Sequence, residues 1–295
     1  MANYPQLDDQ VGVWKLKDVN DAVMGGYWRN VGSRAFHGGG HGPVQTRHIE
    51  TANMSSSGNT TLFGDLLTLG GFRGSCGNFT RGLWAGGYTP SVVNNIDYIT
   101  FTTEGNAADF GDTTSVREGS TMTSNSTRGL GMGGASPSLL NIIDFVTIAS
   151  TGNAIDFGDL TAARAAISGA SSSTRAVAMG GYSPTVRDTC DFVTIASQGN
   201  AIDFGDLSVV NYTAGGTSNS IRGLVMGGLA PTATKNIDQL FINNGGTATD
   251  FGDMAMEISQ GAACSGSHGG LNDGYLGTRI QPTPMGGGSG QRALF

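Results

Sequence analysis

Residues Arg175 to Ile221 read RAVAMGGYSPTVRDTCDFVTIASQGNAIDFGDLSVVNYTAGGTSNSI, and their landmarks return every 47 residues without an insertion. An arginine opens each copy at Arg34, Arg81, Arg128, Arg175 and Arg222. A glycine pair follows, and a Phe-Gly-Asp closes the middle of each copy at Asp65, Asp112, Asp159, Asp206 and Asp253. Five matched copies (34–80, 81–127, 128–174, 175–221 and 222–268) are a repeat array. A unit of this size buries too little apolar surface to offset the entropy of ordering its own backbone, so the copies must pack on one another.

Within copy four, Arg175-Ala-Val-Ala-Met-Gly-Gly is a short apolar run ended by glycines, which suits a buried strand with a close backbone neighbour. A Pro-bearing connection follows. Asp191-Phe-Val-Thr-Ile-Ala-Ser is rich in β-branched and aromatic residues and reads as a second strand. Gln198-Gly-Asn is a turn, Ala201 to Asp206 a third strand, and Leu207 to Gly216 a fourth segment that leads to the next arginine. No helical periodicity intervenes. Four short antiparallel strands at this period predict an all-β fold, a β-propeller of five 47-residue four-stranded blades. The alternative is six blades, one composed from both termini, since 33 residues precede the array and 27 follow it.

Composition agrees with turn-rich β structure: 49 of 295 residues are glycine and only 13% are charged. The net charge of −7 argues against a nucleic-acid partner, which would need clustered Lys and Arg. No run is long and apolar enough for a membrane span, and the opening MANYPQLDDQVGVWKLKD lacks the apolar core of a secretory signal. The chain therefore reads as soluble and made without a cleaved export signal. Three cysteines, Cys76, Cys190 and Cys264, do not suggest a disulfide framework.

Several short motifs imitate catalytic sites and fail on context. Gly129 to Gly134 fits G-x-G-x-x-G, but no helix follows it. His37-Gly-Gly-Gly40 imitates an oxyanion loop without a nucleophile elbow, and the fourfold Asp-Phe-Gly lacks kinase partners. Three of the four histidines fall in copy one, with no Cys or carboxylate at ligand spacing. No catalytic residue, metal ligand or cofactor is assigned.

The repeated ionic positions are read as structural. Each aspartate caps turn amides or pairs with a repeat arginine, so Arg34, Arg81, Arg128, Arg175 and Arg222 are matched with Asp65, Asp112, Asp159, Asp206 and Asp253. A ring of calcium or anion sites is the competing reading of these positions together with the aspartates before the second strand, Asp97, Asp144, Asp191 and Asp238. The copies diverge most after the glycine pair, where a rigid frame would carry variable tips on one face. Tyr88, Tyr182, Arg187 and Lys235 are the candidate binding side chains there.

With these residues in view, the repeat resembles kelch-type propeller blades, with Phe where kelch has Trp. Its wording is more similar to virion proteins of tailed bacteriophages of marine and cyanobacterial type. The likeness is carried by Arg128-Gly-Leu, Gly133-Gly134, Pro137, Ile143 to Ser150 and Gly152-Asn-Ala-Ile-Asp-Phe-Gly-Asp159. Gly12-Val-Trp-Lys-Leu-Lys-Asp-Val and Gly26-Tyr-Trp28 resemble a Trp-flanked segment of phage tail and fibre proteins. The resemblance implies a non-enzymatic structural protein of the virion, in the tail, a fibre or surface decoration. Residues 1–33 and 272–295 would be docking arms around a propeller at 34–271, anchored by Trp14, Trp28 and Phe295. The implied partners are other virion proteins and further copies of the chain. A lectin-like module that binds a host cell-surface glycan is the alternative.

Overall fold

The computed structural model describes residues 34–41, 44–53 and 58–263. Their regular structure is all strand. Five antiparallel sheets are arranged about a common axis as a five-bladed β-propeller. Blade two is formed by Gly74–Gly77, Arg81–Ala85, Asn95–Thr100 and Ala108–Asp112, in that order from axis to rim. Blade three is Thr121–Ser124, Arg128–Met132, Ile142–Thr147 and Ile155–Asp159. Blade four is Ser168–Ser171, Arg175–Ser183, Thr185–Thr194 and Ile202–Asp206. Blade five is Gly215–Ser218, Arg222–Met226, Thr234–Phe241 and Thr249–Ile258. Blade one shows three strands among the described residues, Arg34–His41, Gln45–Asn53 and Thr61–Asp65.

Blade and repeat are out of phase by one strand. The innermost strand of blade two, Gly74–Gly77, lies within the copy that opens at Arg34, and its three other strands belong to the copy that opens at Arg81. Each of the first four copies thus ends inside the next blade. This threading couples neighbours through the chain itself.

The core is divided by the same logic. Each of its four apolar clusters joins two blades, as where Leu130, Met132 and Phe157 of blade three meet Ala176, Ala178, Val193 and Ile195 of blade four. Phe157 reaches this seam because the ladder slips at the Phe-Gly, pairing Ile143 with Gly158 and Asp144 with Asp156. The extra residue of that bulge turns inward. Its counterparts Phe63, Phe110 and Phe204 are also 2–5% exposed, whereas Phe251 of blade five is 50% exposed.

Innermost strands are locked by serines one repeat apart. Ser124 Oγ donates to the Gly77 carbonyl, Ser171 Oγ to that of Ser124 and Ser218 Oγ to that of Ser171, at 2.7–3.0 Å. A second circle lies in the loops that lead inward from each rim. Phe72, Gly119, Ala166, Thr213 and Gln260 occupy one repeat position and all adopt positive φ, 55–62°. The Gly119, Ala166, Thr213 and Gln260 amides each donate to the carbonyl of the preceding member, at 2.7–3.0 Å. That circle explains why four of these positions tolerate a conformation glycine would adopt at no steric cost.

Candidate functional site

The sheets leave two kinds of loop at opposite ends of the ring. One end carries the short turns between first and second strands and between third and fourth. The other carries the hairpins after the glycine pairs, together with the loops running inward from the rim.

At the first end lies the reason for the most repeated words in the sequence. Gly199-Asn200-Ala201 of blade four sits on Phe157-Gly158-Asp159 of blade three. The Gly199 amide donates to Phe157 O at 2.8 Å and the Ala201 amide to Asp159 O at 2.7 Å. The Asp159 amide donates to Asn200 Oδ1 at 3.1 Å. The same clasp joins Gly152-Asn-Ala to Phe110-Gly-Asp and Gly105-Asn-Ala to Phe63-Gly-Asp, and Gly246-Thr-Ala repeats its backbone bonds on Phe204-Gly-Asp. Backbone meets backbone there, and a Cβ on Gly158 would overlap the Gly199 carbonyl. Asp109, Asp203 and Asp250 each accept the amide of the adjacent bulge glycine, at 2.9–3.2 Å.

The expected pairing of repeat arginines with Phe-Gly-Asp aspartates is corrected by the structure. Arg81, Arg128 and Arg175 lie over Tyr98, Phe145 and Phe192, 4.6–4.8 Å from the ring centroids. Each donates to a carbonyl of the next blade, Arg81 to Ile148, Arg128 to Ile195 and Arg175 to Ile242, at 2.8–3.1 Å. The aromatic is the better partner because the arginine's stem and planar head can both be covered by it. Arg222 lies over Phe241, and Arg34 sits near Phe36 and Phe63 while pairing with Glu104 at 3.5 Å. Asp65 takes His48 and Arg47 instead, and Asp253 takes Lys235. At Asp112 and Asp159 it is the backbone that is engaged, in the clasp. Asp206 is pushed above the usual carboxylate range by desolvation, then by Asp188 and Asp203.

The aspartates that meet buried arginines are Asp97, Asp144 and Asp191. Arg73, Arg117 and Arg164 reach them from the inward loops, and all six side chains are buried. The carboxylates also cap the loop that leaves the previous blade: Asp191 accepts the Thr161 amide and hydroxyl, and Asp238 accepts those of Ser208. In blade two, burial pushes Asp97 up despite Arg73, and pushes Arg73 down despite Asp97. Both directions say that desolvation outweighs the mutual attraction, so the pair fixes geometry more than it adds stability. Arg117 and Arg164 stand 47 residues apart, which is the signal that marks them. It is broken by Gly70 and Asn211 at the neighbouring repeat positions, and Arg73 lies three residues displaced.

The second end is the candidate binding face. Its hairpins are held firmly: Tyr88 exchanges two backbone bonds with Gly71, Ala135 with Glu118, Tyr182 with Ala165 and Leu229 with Tyr212. Tyr88 and Tyr182 hold equivalent positions and are 37% and 43% exposed. The Tyr182 ring lies 6.0 Å from that of Tyr212 on the adjoining loop. Arg187 turns back on its own hairpin, Nε to Ser183 O at 3.1 Å, and Lys235 pairs with Asp253 at 2.9 Å. Asp253 also raises the Lys235 ammonium above its usual range. The structure therefore separates the four sequence candidates: two tyrosines face outward, and the two cations are already engaged.

The inward loops add what the sequence reading missed. Leu67, Leu69 and Phe72 are exposed on the loop whose Gly71 bonds Tyr88, and Val209 and Val210 on the loop that carries Tyr212. Their signal was apolar residues in segments that carry no strand pattern. Trp14, Trp28, Phe295, Cys264 and His268 lie outside the described residues. Among the described residues Cys76 and Cys190 are free and buried, and no group of three metal-ligating side chains occurs. No helix there is long and apolar enough to cross a membrane. Compared with known proteins, the chain matches no family model and no curated protein sequence.

Proposed function

We propose that this chain is a non-enzymatic structural component of a tailed-phage particle, in its tail, a fibre or its surface decoration. In this reading the tip face meets neighbouring subunits or the host surface, while residues 1–33 and 272–295 dock the ring. The observation that carries it is the division of labour between the two ends. The clasps are the same backbone bonds at successive junctions, whereas the firmly tied hairpins differ from copy to copy, two of them exposing tyrosine, and the adjoining inward loops expose aliphatic side chains. A rigid frame with divergent tips is how scaffolds present binding surface. The phage context comes from the wording of the repeat.

Mass spectrometry of purified phage particles tests the virion assignment: the polypeptide is expected at a fixed copy number, and its absence overturns the reading. A second reading is a lectin-like module, favoured by the exposed Tyr88 and Tyr182 rings, against which a sugar face could stack. A glycan array on the isolated protein separates the two. Glycan binding that Tyr182→Ala removes supports the lectin reading.

A further inference from the structure

Asp97, Asp144, Asp191 and Asp238 hold one repeat position, and all four are buried. The first three are each met by an arginine. Asp238 differs: among the described residues it makes no ion pair. The position of Arg117 and Arg164 falls on Asn211 here, and the displaced position of Arg73 falls on Ala214. A buried carboxylate without a counter-charge is costly, and buried charges in proteins are paired or coordinate a cation.

Asn211 follows the path of the arginines it replaces. A Cβ on Gly134 would stand 3.2 Å from Arg117 Cβ, one on Gly181 3.6 Å from Arg164 Cδ and one on Gly228 2.8 Å from Asn211 Cγ, so the three side chains cross one glycine position. The asparagine is shorter and uncharged, and no hydrogen bond joins it to Asp238 among the described residues. Its Nδ2 donates to Gly227 O at 2.6 Å, which orients the amide. Oδ1 is left as an acceptor with no partner, in a residue only 6% exposed. Asp238 keeps an acceptor position as well. It accepts the Ser208 amide at 2.8 Å, the Ser208 hydroxyl at 2.5 Å and Asn236 Nδ2 at 3.0 Å, three of the roughly four lone pairs a carboxylate offers. A third oxygen follows from the repeat. Arg164 Nη2 donates to Ala178 O at 3.3 Å as well as to Asp191, and one repeat on that carbonyl belongs to Val225.

We propose that a monovalent alkali cation takes the guanidinium's place at the junction of blades four and five, held by the Asp238 carboxylate, Asn211 Oδ1 and the Val225 carbonyl. All three donors are oxygen, the set that hard cations prefer. One carboxylate supplies one negative charge, which a single positive charge balances as arginine does at the other junctions. Calcium is held more tightly as carboxylates are added, so a divalent ion gains little from this set, and EDTA has no hold on the ion assigned here. The stability of this junction then follows the alkali ion of the medium, whereas the other three carry their cation covalently.

Melting of the native full chain in potassium, sodium and choline chlorides at equal ionic strength tests this. Tm should be higher in an alkali salt than in choline, by about 3–6 °C once the ion is about tenfold above its Kd, and the two alkali arms identify the ion. Asn211→Arg restores the pattern of the other blades; it should raise Tm in choline and remove the difference between salts. Asp238→Asn removes the charge to be balanced and should abolish that difference too. Equal Tm for the native chain in all three salts overturns the proposal, and so does an alkali effect that survives in either folded variant.

Discussion

Replacing Gly158 with alanine isolates what the clasp contributes. At φ 147° an alanine is strained by about 1–2 kcal/mol. Its Cβ would overlap the Gly199 carbonyl and stand 2.9 Å from the Asn200 amide nitrogen, so the turn must lift. Lifting it breaks three hydrogen bonds, the Gly199 and Ala201 amides to blade three and the Asp159 amide to Asn200. At a net contribution of about 1 kcal/mol each, the total loss is about 4–5 kcal/mol. Gly252 is the internal control, since it has a similar φ of 139° but an added Cβ there meets nothing within 4 Å. Gly252→Ala should cost only the backbone strain. The two variants, compared by urea denaturation and calorimetry of the full chain, should differ by about 3 kcal/mol, or roughly 6–12 °C in Tm. Equal losses at the two positions would refute the clasp as the reason for the repeated glycine.

Arg164→Met should cost about 3–5 kcal/mol by stranding the buried Asp191, while the double variant with Asp191→Leu should recover only part of that loss in the same denaturation assay, since it leaves the Thr161 amide and hydroxyl without their acceptor. Burial pushes the Cys76 and Cys190 thiols up to about 12 from an ordinary 9.0. Stability is therefore whole below pH 9 and falls as pH rises toward 12, by about 1.4 kcal/mol per pH unit per thiol, and a Cys76→Ala, Cys190→Ala variant should show a correspondingly flatter alkaline profile. Chelation with EDTA should leave Tm unchanged, because the oxygens of Asp144, Asp191 and Asp238 already hold amides, hydroxyls and arginines; a drop of several degrees would restore the calcium reading. Ala166→Gly, which relieves a positive φ of 55°, should stabilise the protein by about 1 kcal/mol in urea.

Strand number and order were legible because β-branched and aromatic runs recur at constant spacing. The phase of the blades was not. Leu207 to Gly216 reads as the last strand of its own copy, yet the strand is Gly215–Ser218 and it opens the next blade. Periodicity fixes spacing and is silent about which neighbour a strand joins. The clasp was hidden for the same reason: Gly152-Asn-Ala and Asp156-Phe-Gly-Asp stand side by side in sequence but bind different blades. The arginines misled because charge complementarity suggested Asp, while Tyr98, Phe145 and Phe192, each 17 residues on, were the partners. Tyr88 and Tyr182 could be found from divergence alone, but the inward loops that complete their face could not, since loop burial is decided by tertiary contacts.

The central claim is that the recurring Gly-Asn-Ala and Phe-Gly-Asp join neighbouring blades of a ring. An experimental density map of the full chain at atomic resolution measures it most directly. The Gly199 amide is expected on the Phe157 carbonyl near 2.8 Å, with equivalent bonds at Gly152 and Gly246, around five blades. A map in which Gly199-Asn-Ala binds the Phe-Gly-Asp of its own copy, or in which the copies run on as an open rod, would contradict the account.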